Sequence, residues 1–144
     1  MRPRRAATSV AVAALGLSAC ATAAQEEHPS ISPMSIAKVR NSDGAEVARI
    51  RLTADAERRL GIETVKVSTR GQLLQIPLAA VFLDTKGTRW VYTRPEPRSY
   101  VRQAIGVAAE EGLTTFASKG PKAGTEIVTV GVPELWGAET GMDD

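Results

Sequence analysis

The sequence predicts a mainly β domain, a small barrel or sandwich carrying one short helix. Three observations carry this prediction. From Ile76 to Gly131, short apolar runs alternate with turn signals at a spacing typical of compact β domains. Two further strand-like runs, Glu46 to Leu52 and Ile62 to Thr69, precede that stretch. Between those two runs lies a single segment with helix signals at both of its ends.

In Glu46 to Leu52, Val47, Ile50 and Leu52 stand among Glu46, Arg49 and Arg51, the pattern of a half-buried strand. Thr53 then suits a helix N-cap, because its hydroxyl can accept from an amide of the first turn. Asp55 in the first turn and Arg58 and Arg59 in the last complement the helix dipole. Gly61 suits the left-handed residue that ends a helix. The helix spans only about two turns, so it must dock on something to persist. Val65 and Val67 share a face of the next strand, and Arg70-Gly71 turns the chain into Gln72 to Ile76.

Pro77 donates no ladder hydrogen bond and belongs at a strand start or edge. Asp84-Thr85-Lys86-Gly87 reads as a turn before the strand-like run Trp90-Val91-Tyr92. Pro95-Glu96-Pro97 breaks the chain, and Val101, Ile105 and Val107 then share a face of the following strand. Ile127-Val128-Thr129-Val130 is nearly continuous and reads as a central strand. Trp136 is expected to pack back on the domain. The chain holds only six aromatic residues, so the core rests mainly on Val, Ile, Leu and Ala. Trp90 and Tyr92 lie on one face of their strand. They are the candidate partner-contact residues, with at least one of them expected in the core.

The N-terminus has a different character. Arg2, Arg4 and Arg5 precede an apolar and small-residue run from Ala6 to Leu17, the order of a secretory signal. That run is shorter than the roughly 20 apolar residues a membrane-spanning helix needs. Leu17-Ser18-Ala19-Cys20 is similar to the bacterial lipobox, which implies lipidation of Cys20 as the first residue of the mature chain. With more than one acyl chain, Cys20 would hold the protein stably on a membrane. Cys20 is the only cysteine, so no disulfide can form within the chain.

The expected organisation is a signal peptide over 1–19, a disordered tether over 20–45, a β domain over 46–137 and a flexible tail over 138–144. The tether is polar and contains Pro29 and Pro33, with no sustained period. His28 and Met34 are ligand types for copper, but two such residues in a tether fall short of a selective site. No cofactor or metal is therefore expected.

Removing Arg2, Arg4 and Arg5 from the 18 basic residues leaves 15 against 16 acidic ones, a net charge of −1. Such a chain makes no electrostatic case for nucleic acid as a partner. The charges are interspersed along the chain, as on a solvated surface. An enzyme is not expected either. The only histidine lies in the tether, and no Gly-x-Ser-x-Gly elbow or phosphate-cradling glycine loop is present. Asp84, Glu110 and Glu111 read as turn residues.

Two segments carry a family resemblance. Arg51-Leu52-Thr53-Ala54-Asp55-Ala56-Glu57-Arg58-Arg59-Leu60-Gly61-Ile62-Glu63-Thr64 resembles the opening segment of the periplasmic adaptor subunits of RND efflux pumps, also called membrane fusion proteins. Ile76-Pro77-Leu78-Ala79-Ala80-Val81, Gly87, Trp90-Val91-Tyr92 and Tyr100 to Val107 resemble their C-terminal, membrane-proximal region. Gly120, Ala123 to Gly131 and Glu134-Leu135 are similar to the end of that region. Such adaptors insert a lipoyl-like domain, a helical hairpin and a β-barrel between the two segments. Here Val65-Lys66-Val67 leads almost directly to Ile76-Pro77, and no heptad run exists for a hairpin. Pro121 also stands where the family has an apolar residue. The resemblance implies a small β-roll or permuted SH3-like barrel.

The function expected is that of a non-enzymatic, lipid-anchored protein outside the cytoplasmic membrane. It would serve a transmembrane efflux system as an adaptor-like accessory. Its implied partners are the membrane, through Cys20, and an RND or ABC transporter or a full-length adaptor. The alternative is a stand-alone extracytoplasmic lipoprotein that binds a small ligand or a metal.

Overall fold

The computed structural model describes residues 32–141. The chain runs β1 (Met34–Arg40), β2 (Glu46–Leu52), α1 (Ala54–Leu60), β3 (Glu63–Lys66), β4 (Ser68–Arg70) and β5 (Leu73–Pro77). After a 3-10 turn at Leu78–Ala80 come β6 (Phe82–Leu83), β7 (Arg89–Glu96), β8 (Ser99–Ala104) and β9 (Gly106–Glu111). β10 (Thr114–Lys119), β11 (Glu126–Val130) and α2 (Val132–Thr140) complete it. The domain is mainly β, as the sequence predicts, with a second helix beyond the one expected.

Two antiparallel sheets form. The larger has seven strands in the order β1-β2-β8-β7-β11-β3, with β6 paired to β7. The smaller has four, in the order β4-β5-β10-β9. One core lies between the large sheet and the helices, with Ile50, Leu52, Tyr92, Tyr100, Val128 and Leu135 at its centre. A second lies between the sheets and contains Val67, Ile76, Val91, Ile105, Ala117 and Ile127. Successive strand residues point to opposite faces. Val91 and Ile127 therefore enter the inter-sheet core, while Tyr92 and Val128 enter the helix-side core. Burial on both faces explains why Ile127-Val128 reads as a continuous apolar run.

α1 forms where its signals place it. The Thr53 hydroxyl accepts from the Ala56 amide at 3.1 Å, and Gly61 closes the helix in the left-handed region. The chain passes between the two sheets four times, and two of these crossings are corners inside one strand-like run. At Val67, the amide donates to Thr125 and the carbonyl accepts from Gly124, which ends β3 and starts β4. At Ile105, the amide donates to Arg89 and separates β8 from β9. The two longer strands read from sequence are thus each divided at a corner, with Val67 and Ile105 both buried in the inter-sheet core. Pro77 ends β5 at a strand terminus.

Three expectations need correction. The part of the predicted tether that is described, residues 32–45, is the strand β1 and its turn into β2. Seven residues of β1 pair with β2 from Met34↔Leu52 to Arg40↔Glu46. The Asn41 side chain accepts from the amides of Asp43 and Ala45, which fixes the hairpin turn. β1 is an edge strand exposed on most of both faces, so it shows no alternating pattern; main-chain pairing orders it. The predicted flexible tail, 138–144, is helical as far as Thr140. Its Ala138 is buried, and Glu139 is a buried ion-pair partner rather than a surface charge. The third correction is α2 itself, which begins with Pro133 in its first turn, a position that tolerates proline. Cys20, His28, the predicted signal peptide, the rest of the tether and Asp143-Asp144 lie outside the described residues.

Candidate functional site

Trp90 and Tyr92 do lie on one face of β7, the face that α2 covers. Tyr92 is fully buried. Its ring stacks on Phe82 with centroids 4.9 Å apart and planes 13° apart. Its hydroxyl donates to Glu139 Oε2 at 2.6 Å. Tyr92 is therefore core, and the expected partner contact does not hold for it. Trp90 is half-buried, and its indole N–H donates to Asp84 Oδ2 at 3.0 Å. The Arg102 guanidinium lies over the Trp90 ring at 4.5 Å and over the Trp136 ring at 5.4 Å. Its Nε is 3.0 Å from Glu139 Oε1. Trp136 thus packs back on the domain, and the aromatic pair is used internally.

A second arrangement of the same composition pins α1. The Tyr100 hydroxyl donates to Glu57 Oε1. Arg94 stands 3.4 Å from Glu57 and 3.6 Å from Glu126. On the helix side of β7 and β8, two tyrosines and two arginines each pair with one glutamate from a helix. Each glutamate accepts a hydrogen bond while its charge is matched, which offsets the cost of its full or partial burial.

Burial pushes the phenols of both tyrosines upward, and the hydrogen bonds they donate to Glu139 and Glu57 push the same way. Their folded values lie above the unfolded value of about 10. The stabilisation is therefore complete below about pH 10 and fades as pH rises beyond it. The chain has two tyrosines, so a spectrophotometric titration reads both. At about pH 10, where a free phenol is half ionised, the native protein is expected to show no tyrosinate absorbance. Tyrosinate then appears together with unfolding. A titration of either phenol near pH 10 in the folded state would contradict this arrangement.

Asp84 is a turn residue, as predicted. Desolvation raises its carboxyl, but the hydrogen bonds from Trp90, Thr88 and Lys86, with the charge of Arg102, lower it on balance. Glu110 and Glu111 pair at the surface with Arg89 and Arg70. Among the described residues, no group of three or more His, Cys, Asp or Glu could hold a metal ion.

A cleft lies on the opposite face of the large sheet. Arg49, Val101 and Thr93 form one cross-strand row on β2, β8 and β7. Gln103 stands one step further along β8. The β1–β2 turn, residues 40–43, forms one wall, and Gly120, Lys122 and Thr125 of the β10–β11 loop form another. The resulting cleft has a volume of about 580 Å³. Gln103 Nε2 donates to Asp43 Oδ1 at 3.2 Å, and Asn41 Nδ2 donates to the Arg102 carbonyl at 3.1 Å. These two bonds hold the turn against β8.

Sequence reasoning did not single out these residues. Arg49 reads as the polar side of β2, and Lys122 as a loop charge. A signal was present in β2, where Val47 is buried on one face and Ile50 and Leu52 on the other. A strand with buried apolar residues in both phases is partly covered on both sides, so the arginine beside Val47 on its face stands out.

No family model, no curated protein and no solved structure matches this chain.

Proposed function

We propose that the protein is a lipid-anchored extracytoplasmic lipoprotein and a non-enzymatic, adaptor-like accessory of a transmembrane efflux system. The reading rests on the resemblance of the segments around residues 51–64 and 76–131 to the two ends of a membrane-fusion protein. One observation supports it most. Strands at the two segments meet in the larger sheet, where β2 pairs with β8 and β3 pairs with β11. A domain whose two halves close on each other in this way needs no inserted hairpin or lipoyl domain to fold. The partners proposed are the membrane, through lipid on Cys20, and an RND or ABC transporter or a full-length adaptor. Edge strands and exposed loops would make the protein contact. Candidates are the edge strand β3 and Leu83, Leu113 and Val130, which are exposed. No helix among the described residues is long and apolar enough to cross a membrane.

The anchor is tested by fractionating cells that express the native chain or Cys20→Ala. The native chain is expected in the membrane fraction, and Cys20→Ala is expected to be released. Equal membrane recovery of both would overturn the anchor.

A second reading is a stand-alone lipoprotein that binds a small ligand outside the cytoplasmic membrane. The cleft over Arg49 favours it, because a ligand site needs a concavity with convergent polar groups.

A further inference from the structure

Three cations, Arg40, Arg49 and Lys122, line the cleft, with Asp43 as the only acid among its lining residues. Asp43 accepts a hydrogen bond from Gln103, which occupies part of its carboxylate. Among the described residues, none of the three cations forms an ion pair. Arg40 donates only to the Gly44 carbonyl. The Nε of Arg49 is buried and has no hydrogen-bond partner. A partly buried guanidinium with no carboxylate beside it carries unmatched charge, and an anion in the cleft would match it. The terminal nitrogens of a guanidinium form a planar fork that matches the two oxygens of a carboxylate or phosphate. The cleft is open to solvent along one side, and its volume lies within the range of small-molecule sites.

We infer that this cleft binds a small molecule or headgroup through one oxyanion, a carboxylate or a phosphate. Arg49 holds the oxyanion at the sheet surface through its terminal nitrogens, and Arg40 and Lys122 supply further positive charge from the two walls. Thr93, Thr125 and Asn41 offer neutral hydrogen-bonding groups to the rest of the ligand, and Val101 and Pro95 an apolar surface. The inference rests on the cleft alone. It holds whether or not the protein docks on a transporter, and its failure would leave the Cys20 fractionation result untouched.

The test is a titration of the full chain in mild detergent, followed through the arginine Nε–H resonances by NMR. The probes are inorganic phosphate and succinate, added at constant ionic strength. One arginine resonance is expected to shift saturably. Arg49→Gln should abolish that signal and weaken binding, measured by calorimetry, about 10-fold or more. Arg49→Lys keeps the charge but lacks the planar fork, so it should also bind more weakly. Lys122 is exposed, so Lys122→Gln leaves the fold intact and is expected to weaken binding by about 3-fold. Lys66→Gln, a charge change on the far edge strand, should bind like the native chain. Saturation by phosphate alone assigns the phosphate class, and saturation by succinate alone assigns the carboxylate class; either supports the inference. No saturable shift with either probe would overturn it. So would equal affinities for the native chain, Arg49→Gln and Lys122→Gln.

Discussion

Gly131→Ala is expected to destabilise the fold by about 2–5 kcal/mol. Gly131 leads into α2 with φ at +95°, a conformation that side-chain-bearing residues rarely adopt. Left-handed backbone of this kind costs a non-glycine residue about 1–2 kcal/mol. A Cβ at this position would also fall 2.1 Å from Ile62 Cδ1, with the Ile62 backbone behind it at 3.7 Å. Ile62 packs against the helix-side core and can yield only by disturbing that packing. Forced overpacking of this sort adds about 1–3 kcal/mol. Urea unfolding measures the sum. Adding Ile62→Ala should remove the collision and leave the backbone cost, so the double variant should lose less than the two single losses added together. A loss below about 1 kcal/mol for Gly131→Ala, or strict additivity with Ile62→Ala, would show that α2 does not enter through this contact.

Glu139→Ala is expected to cost about 2–4 kcal/mol. The substitution takes the acceptor from the Tyr92 hydroxyl and the carboxylate from Arg102 together. The Glu139 side chain is 7% exposed and that of Arg102 is 20% exposed, so water compensates the arginine in part. This is why the expected cost stays below that of a fully buried pair. Glu139→Gln keeps an acceptor for Tyr92 and should cost less. Tyr92→Phe removes one hydrogen bond and should cost about 1 kcal/mol. Glu46→Ala makes the contrast, because its pair with Lys38 is 60% and 85% exposed. That variant should stay within about 0.5 kcal/mol of the native protein. The ranking is read from denaturant midpoints at constant slope. Glu139→Ala falling no further than Glu46→Ala would mean that α2 is not held by this cluster.

The sequence carries much of the fold because many of its signals are local. Thr53 and Gly61 bound α1, and both act within one turn of helix. Ile127-Val128 reads as central because both faces of that strand are buried. The elements it hides are those ordered by distant partners. β1 looks like tether because its residues gain main-chain pairing with β2 but little burial. Glu139 looks like surface because the groups that donate to it, Tyr92 and Arg102, lie far away in sequence on β7 and β8. The corners at Val67 and Ile105 are set by hydrogen bonds to Thr125, Gly124 and Arg89, so the strands on either side read as continuous. The cleft was the least legible feature. Arg40, Arg49 and Lys122 meet only through tertiary structure, and each alone is an ordinary surface charge.

The adaptor-like role is tested most directly by crosslinking the protein in its own membranes and identifying what co-purifies. The comparison is between the native chain and Cys20→Ala. Enrichment of an RND-type or ABC-type transporter, or of a full-length adaptor, with the native chain and its loss with Cys20→Ala is the result predicted here. Recovery of the native chain from the membrane with no such partner would contradict the accessory role.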